Sequence, residues 1–89
     1  MNYKIAFKKS VSRDLRKIDK EQVKRILGKI ETELSQKAAT LPTLTGKFSG
    51  LRKLRFGDFR VIFTIIGDTA LVLRIRHRKE VYKSDITSH

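Results

Sequence analysis

Three short stretches in the C-terminal half of the chain carry groups that could do chemistry on a phosphate. Lys53, Arg55 and Arg60 stand in LRKLRFGDFRVIF, residues 51–63, Arg74 and Arg76 in ALVLRIR, and His77, Arg78 and Tyr82 in HRKEVY. Arginine offers a planar fork that matches two phosphate oxygens at once, and cations placed at phosphorus stabilise the charge that grows there during cleavage. Histidine, lysine and tyrosine can each take or give a proton. Singly, these residues have plainer roles. A lone histidine is usually structural, Tyr82 would serve to cover a core edge, and Arg78 would be one more surface cation. Together they are the group types that phosphodiester cleavage needs in one place.

Whether they meet depends on the strands that carry them. Gly57-Asp58 between two alternating apolar runs reads as the tip of a two-residue hairpin. Phe56 then pairs with Phe59, Arg55 with Arg60, Leu54 with Val61 and Lys53 with Ile62. One face carries Leu54, Val61, Phe63 and Ile65; the other carries Lys53, Arg55, Arg60, Ile62 and Thr64. The third strand must respect this sorting. A three-residue loop at Gly67-Asp68-Thr69, or a bulge, would put Leu71, Leu73 and Ile75 on the apolar face and Arg74 and Arg76 beside Arg60. His77, Arg78 and Tyr82 then close the strand near the same face. Like charges opposite one another in a sheet repel. Five cations on one face with no carboxylate among them therefore predict an anionic partner rather than a surface kept for solubility.

The rest of the chain supplies the elements that hold this sheet. Residues 2–8, NYKIAFK, alternate as a half-buried strand. Ser10 is placed to cap a short helix with Val11, Leu15 and Ile18 at helical spacing. Asp19, with Gln22 three residues on, opens a second helix. Its stripe of Val23, Ile26, Leu27, Ile30 and Leu34 runs to about Gln36. KAATLPTLTGKFSG, with Pro42, Gly46 and Gly50, is a crossing loop. Strands at about 51–56, 59–66 and 70–77 follow. The predicted fold is α+β, in the order βααβββ: an antiparallel four-stranded sheet with an N-terminal helical hairpin packed on one face.

At 89 residues the chain is one domain, 1–89. A hydrophobic fraction of 39% fits a globular protein with a small core. Without cysteine there is no disulfide framework, thiol chemistry or cysteine-based zinc site, and His77 and His89 alone make no histidine-rich metal centre. The opening MNYKIAFKKSV lacks the apolar segment of a signal peptide, and no apolar run approaches a membrane span, so a soluble cytoplasmic protein is expected. Against 21 Lys and Arg stand 9 Asp and Glu, a net charge of +12. A merely solvated surface would more often come with balanced acids, so the excess points to nucleic acid or another polyanion.

Over about residues 2–83 the chain resembles the RelE-like toxins of bacterial and archaeal toxin–antitoxin systems. The resemblance is carried by LTGKFSGLRKLR, by R-x-G-D-[FY]-R over Arg55–Arg60, and by H-R-x-x-[VI]-Y over His77–Tyr82. It implies an endoribonuclease, free of metal and cofactor, that cuts messenger RNA in the ribosomal A site, contacts ribosomal RNA and is restrained by a cognate antitoxin. The substrate's 2′-hydroxyl would attack the adjacent phosphorus, leaving a 2′,3′-cyclic phosphate. Carried over by position, Arg60 would hold the scissile phosphate, and Lys53 and Arg55 would add phosphate contact and charge stabilisation. Arg78 would stabilise the developing charge, and Tyr82 would stack on a base or handle a proton. Arg52, Arg74 and Arg76 would add contacts to RNA. Three groups are open as the general base: His77, Lys53 or Tyr82. The second implied function, on the same fold, is a ParE-like toxin that binds DNA gyrase without cleaving RNA. A non-catalytic RNA-binding module would need more exposed aromatic rings than Tyr82 supplies.

Overall fold

The computed structural model describes residues 2–44, 46 and 50–77. Within them run β1 (Lys4–Phe7), α1 (Lys9–Arg16), α2 (Lys20–Lys37), a 3-10 turn (Ala38–Thr40), β2 (Arg52–Phe56), β3 (Phe59–Ile66) and β4 (Thr69–His77). The four strands form one sheet in the order β1-β4-β3-β2. This is the α+β architecture that the periodicities predict, with one difference in strand direction. β2, β3 and β4 are antiparallel neighbours, whereas β1 pairs with β4 in parallel, Lys4 opposite Thr69 through Phe7 opposite Val72. The cause is the crossover. The helices carry the chain over one face and back, so β2 starts at the far edge in the direction of β1. Two tight hairpins then return β4, also in that direction, to the side of β1.

Both hairpins turn on two residues. Phe56 pairs with Phe59 and Ile66 with Thr69. Gly57 and Gly67 have φ +56° and +61°, and among the described residues none other than glycine has positive φ. Positive φ at the first central residue alone is the mark of a type II′ turn, whose twist suits flanking strands. The second turn is thus Gly67-Asp68, with Thr69 already in β4.

The helix-facing side of the sheet supplies Leu54, Val61, Phe63, Ala70, Val72 and Ile75 to the core. Val11 of α1, then Ile26, Ile30 and Leu34 of α2 and Ala38, close it from above, all at most 1% exposed. Burying an aliphatic side chain of this size is worth ~2 kcal/mol, so the α2 stripe is the main attachment of the hairpin. Its residues recur at intervals of four, which is why they share one side. Asp19 is the N-cap of α2, but through its carbonyl, which accepts from Val23 N at 2.9 Å; its side chain makes no capping bond. Lys8, not Ser10, is the N-cap of α1. No helix among the described residues is long and apolar enough to cross a membrane.

Ser10 has other work. β1 ends at Phe7, with Lys8 N donating to Val72 O at 2.9 Å, and beyond that point no strand among the described residues lies on the outer side of β4. Helix α1 takes over the edge. Ser10 Oγ donates to Leu73 O at 2.6 Å, and Ile75 N donates to Asp14 Oδ2 at 2.9 Å. A backbone edge that would otherwise need water or another strand is satisfied by two helix side chains.

Candidate nucleic-acid interface

The hairpin register places the basic residues as parity requires. Arg55 lies opposite Arg60, and Arg60 opposite Arg76, a row of three arginines across β2, β3 and β4. The next row on the same face is Lys53, Ile62 and Arg74. Neighbouring strands are ~4.8 Å apart, so the arginine row spans ~10 Å and presents its guanidinium groups to one stretch of a polyanion. Farther along this face stand Thr64 and Leu71, and Ile66 is 61% exposed. The core residues all belong to the other face.

A β-bulge makes the row possible. Between Ile62 and Phe63 the register with β4 shifts: Phe63 lies opposite Val72, but Ile62 lies opposite Arg74. Leu73 is the extra residue, so Arg74 and Arg76 fall in line with Ile62 and Arg60. The bulge sits in mid-strand rather than at the turn. For that reason Leu71, expected on the helix side, instead lies opposite Thr64 on the open face, while Ala70 and Val72 fill the core.

One acid belongs to this group of cations. Asp14, on α1 and 7% exposed, accepts bonds from Arg74 Nε and Nη2, both at 3.0 Å, and from the Ile75 amide. Burial pushes its carboxyl upward. The Arg74 and Ile75 hydrogen bonds and the charges of Arg74 and Arg76 more than offset that, holding it below the ordinary aspartate value. The expectation of a cationic face without a carboxylate is therefore corrected. The signal was present in the sequence: position 14 falls three residues after Val11, within the apolar stripe of α1, where an acid must find a partner.

Two of the predicted groups lie elsewhere. Arg52 shares the parity of Leu54 and lies opposite Phe63; its Nη1 donates to Leu41 O at 2.7 Å and Ala39 O at 3.2 Å. It fastens the loop after α2 rather than joining the arginine row. His77, expected near the arginine face, is on the helix side because alternation separates it from Arg76. It lies opposite Phe59, ring edge to ring face at 5.1 Å, and lines a cleft with Asp14, Lys17, Asp19, Gln22 and Asp58. Arg78 and Tyr82 lie outside the described residues.

Comparison with known proteins adds to this geometry. The family model of the ParE toxin of the type II toxin–antitoxin system parDE matches residues 5–82. Among solved structures, the chain is similar to the toxin–antitoxin complex RelBE2 from Mycobacterium tuberculosis. That match has 23% identity and a TM-score of 0.82 over 88% of this chain and 93% of that one. The archaeal RelE-RelB complex from Pyrococcus horikoshii is similar at 24% identity and a TM-score of 0.68, over 88% and 97%. The chromosomal ParDE system of P. aeruginosa is similar at 19% identity and a TM-score of 0.68, over 84% and 95%. At these identities the structures speak for the fold. No curated protein matches the chain by sequence.

Proposed function

The chain belongs to the ParE toxin family and is a type II toxin; from that premise we propose that it acts as a RelE-like endoribonuclease, cutting messenger RNA in the ribosomal A site and so arresting translation. The observation that carries this reading is the row of Arg55, Arg60 and Arg76, with Lys53 beside it, on a sheet face whose other side holds the core. A row of forked donors suits the phosphates of an RNA strand.

In this mechanism Arg60, central in the row, holds the scissile phosphate. The substrate's 2′-hydroxyl attacks that phosphorus and the bond to the 5′-oxygen breaks, leaving a 2′,3′-cyclic phosphate and a 5′-oxygen that takes a proton from solvent to become a hydroxyl. Arg55 and Lys53 stabilise the extra charge on the equatorial oxygens, and Arg78 adds to that charge compensation. Lys53 or Tyr82 takes the proton from the 2′-hydroxyl; the place of His77 on the helix side speaks against it. The nucleophile belongs to the substrate, so the reaction calls on no metal or cofactor. Such a minimal site depends on the ribosome and its RNA to align the strand.

The natural restraint is a cognate antitoxin in the same cytoplasm. Similar folds occur in solved toxin–antitoxin complexes, and a net charge of +12 suits capture by an acidic segment. The second reading, poisoning of DNA gyrase, is favoured by the family model itself. Mapping RNA ends after induction separates the two. Cuts within translated codons are expected; gyrase inhibition with intact messenger RNA would overturn the nuclease reading.

A further inference from the structure

The Asp14–Arg74 pair spans from the helical hairpin to the cationic sheet face, and it has a consequence for which cations an RNA strand meets. Nε and Nη2 form one of the two edges through which a guanidinium can grip a phosphate with paired bonds, and both are held by Asp14 at 3.0 Å. Asp14 is fixed in turn by the Ile75 amide at 2.9 Å. Among the described residues no carboxylate forms an ion pair with Lys53, Arg55 or Arg60. Five cations thus share the face, but they are not equivalent.

Resting on the reading that this face takes RNA, we infer that Asp14 is a specificity-determining residue. By occupying that edge of Arg74 and neutralising its charge, it concentrates phosphate contact on Arg55, Arg60 and Lys53. Arg74 acts as scaffold: it ties the bulge of β4 to α1. A second open fork one row away from Arg60 would let a strand bind in a shifted position, with another phosphate at Arg74 and the scissile bond out of line. Asp14 gives up one favourable contact to the polyanion and gains a single register. Its removal should therefore tighten RNA binding, the opposite of what loss of a structural residue does.

The test compares the wild-type chain with Asp14→Asn, Asp14→Asn/Arg74→Gln and Asp14→Asn/Arg16→Gln. Both double variants keep the wild-type net charge, but only the first removes the released fork, Arg16 being an exposed residue of α1. Binding of a short fluorescent single-stranded RNA is titrated over a range of salt. Asp14→Asn should bind roughly three- to tenfold tighter at low salt, with a slope of log K against log salt steeper by ~0.7, one added contact to a single strand. Arg74→Gln should cancel that gain, and Arg16→Gln should leave most of it. No gain in the single variant, or equal cancellation by both partners, overturns the inference. If the wild-type chain does not bind RNA, the RNA reading fails separately. The same four proteins are then ranked by the salt needed to elute them from heparin, where the same order is expected and its absence overturns the role of Asp14. A measurement on the wild-type protein makes the outcome independent of how Asp14→Asn folds. With an arginine-selective dicarbonyl and mass spectrometry, Arg74 should react more slowly than exposed Arg55, and RNA should slow Arg55 and Arg60 but not Arg74. Arg74 reacting as fast as Arg55, or protected by RNA, would refute it.

Discussion

Replacing Arg60 by alanine separates chemistry from affinity, and the structure gives it an unusual signature. Arg60 lies between Arg55 and Arg76, each directly opposite it in the sheet. Like charges in such positions destabilise by ~0.2–1 kcal/mol per pair. Removing the central cation relieves both pairs at once. The gain is reduced by the lost packing of the arginine stem, which is only part-buried. The net expectation is a fold unchanged or stabilised by up to ~1 kcal/mol, a rise of a few degrees in Tm for a domain of this size. Activity should move the other way. Loss of a donor aimed at charge that grows in the transition state costs ~3 kcal/mol, about a hundredfold in rate. Affinity should fall far less, because the remaining cations still attract the strand. The assay is single-turnover cleavage on programmed ribosomes, with binding and calorimetric unfolding measured in parallel. A variant that cuts at the wild-type rate once bound would show that the reacting phosphate lies elsewhere. A variant that loses cleavage only because it unfolds would refute the electrostatic part of the reasoning.

Asp14→Asn should lower stability at neutral pH by ~1–2 kcal/mol, since a hydrogen-bonded ion pair with one half-exposed partner is lost. The folded-state carboxyl is held below 3.8, so this contribution is complete above that value and fades as the pH falls through the lower folded one. The urea midpoints of wild type and variant should converge in acid, and a constant gap would refute the assignment. Arg52→Gln should cost ~1 kcal/mol through the lost bonds to the Ala39 and Leu41 carbonyls, with RNA binding and its salt slope nearly unchanged; a large fall in affinity would return Arg52 to the interface. Tyr82→Phe should leave cleavage within a few-fold if the ring stacks on a base and reduce it ~100-fold or more if the hydroxyl moves a proton, read under single-turnover conditions. Capture by an antitoxin should slow steeply as ionic strength rises, by stopped-flow fluorescence, and a salt-independent rate would mean that charge does not steer it.

The parts of the fold that were legible from sequence are those fixed by a local rule. The Gly57-Asp58 turn sets the pairing of β2 with β3 completely, because a two-residue loop leaves no freedom in register, and every expected pair from Lys53–Ile62 to Phe56–Phe59 is present. The stripe of Ile26, Ile30 and Leu34 fixes the buried side of α2 in the same way. What escaped depends on contacts distant in sequence. Nothing local tells β1 that its neighbour is β4 and that the pair runs parallel; this follows from where the crossover leaves the chain. Alternation at Leu71-Val72-Leu73 offers apolar residues to both faces, so the position of the bulge had to be settled by packing. Asp14 and Arg74 stand sixty residues apart, and only the docking of α1 on β4 brings the carboxylate to the fork. Of the candidate site, alternation places Lys53, Arg55 and Arg60 on one face, the bulge adds Arg74 and Arg76, and strict alternation sets His77 and Arg52 on the other.

The bulge is where the stability of this fold and the construction of its site coincide. Counted without interruption from the Ile66–Thr69 pair, β4 would set Leu73 opposite Ile62, Arg74 opposite Val61 and Ile75 opposite Arg60. Two arginines would then point into the core and two aliphatic side chains would lie among the remaining cations. Burying even one unpaired guanidinium costs several kcal/mol, a large share of what a domain this small has in hand. One extra residue, Leu73, reverses the whole strand beyond it. Along and beyond the bulge β4 has lost β1 as its outer neighbour, and its edge groups find partners instead in Ser10 and Asp14 on α1. That helix is required in any case, because Val11 must cover the core. The element that buries the apolar face therefore also fixes the register that keeps the arginines on the other one. The cationic surface is thus a consequence of how α1 docks, rather than a decoration on a scaffold that would fold the same way without it.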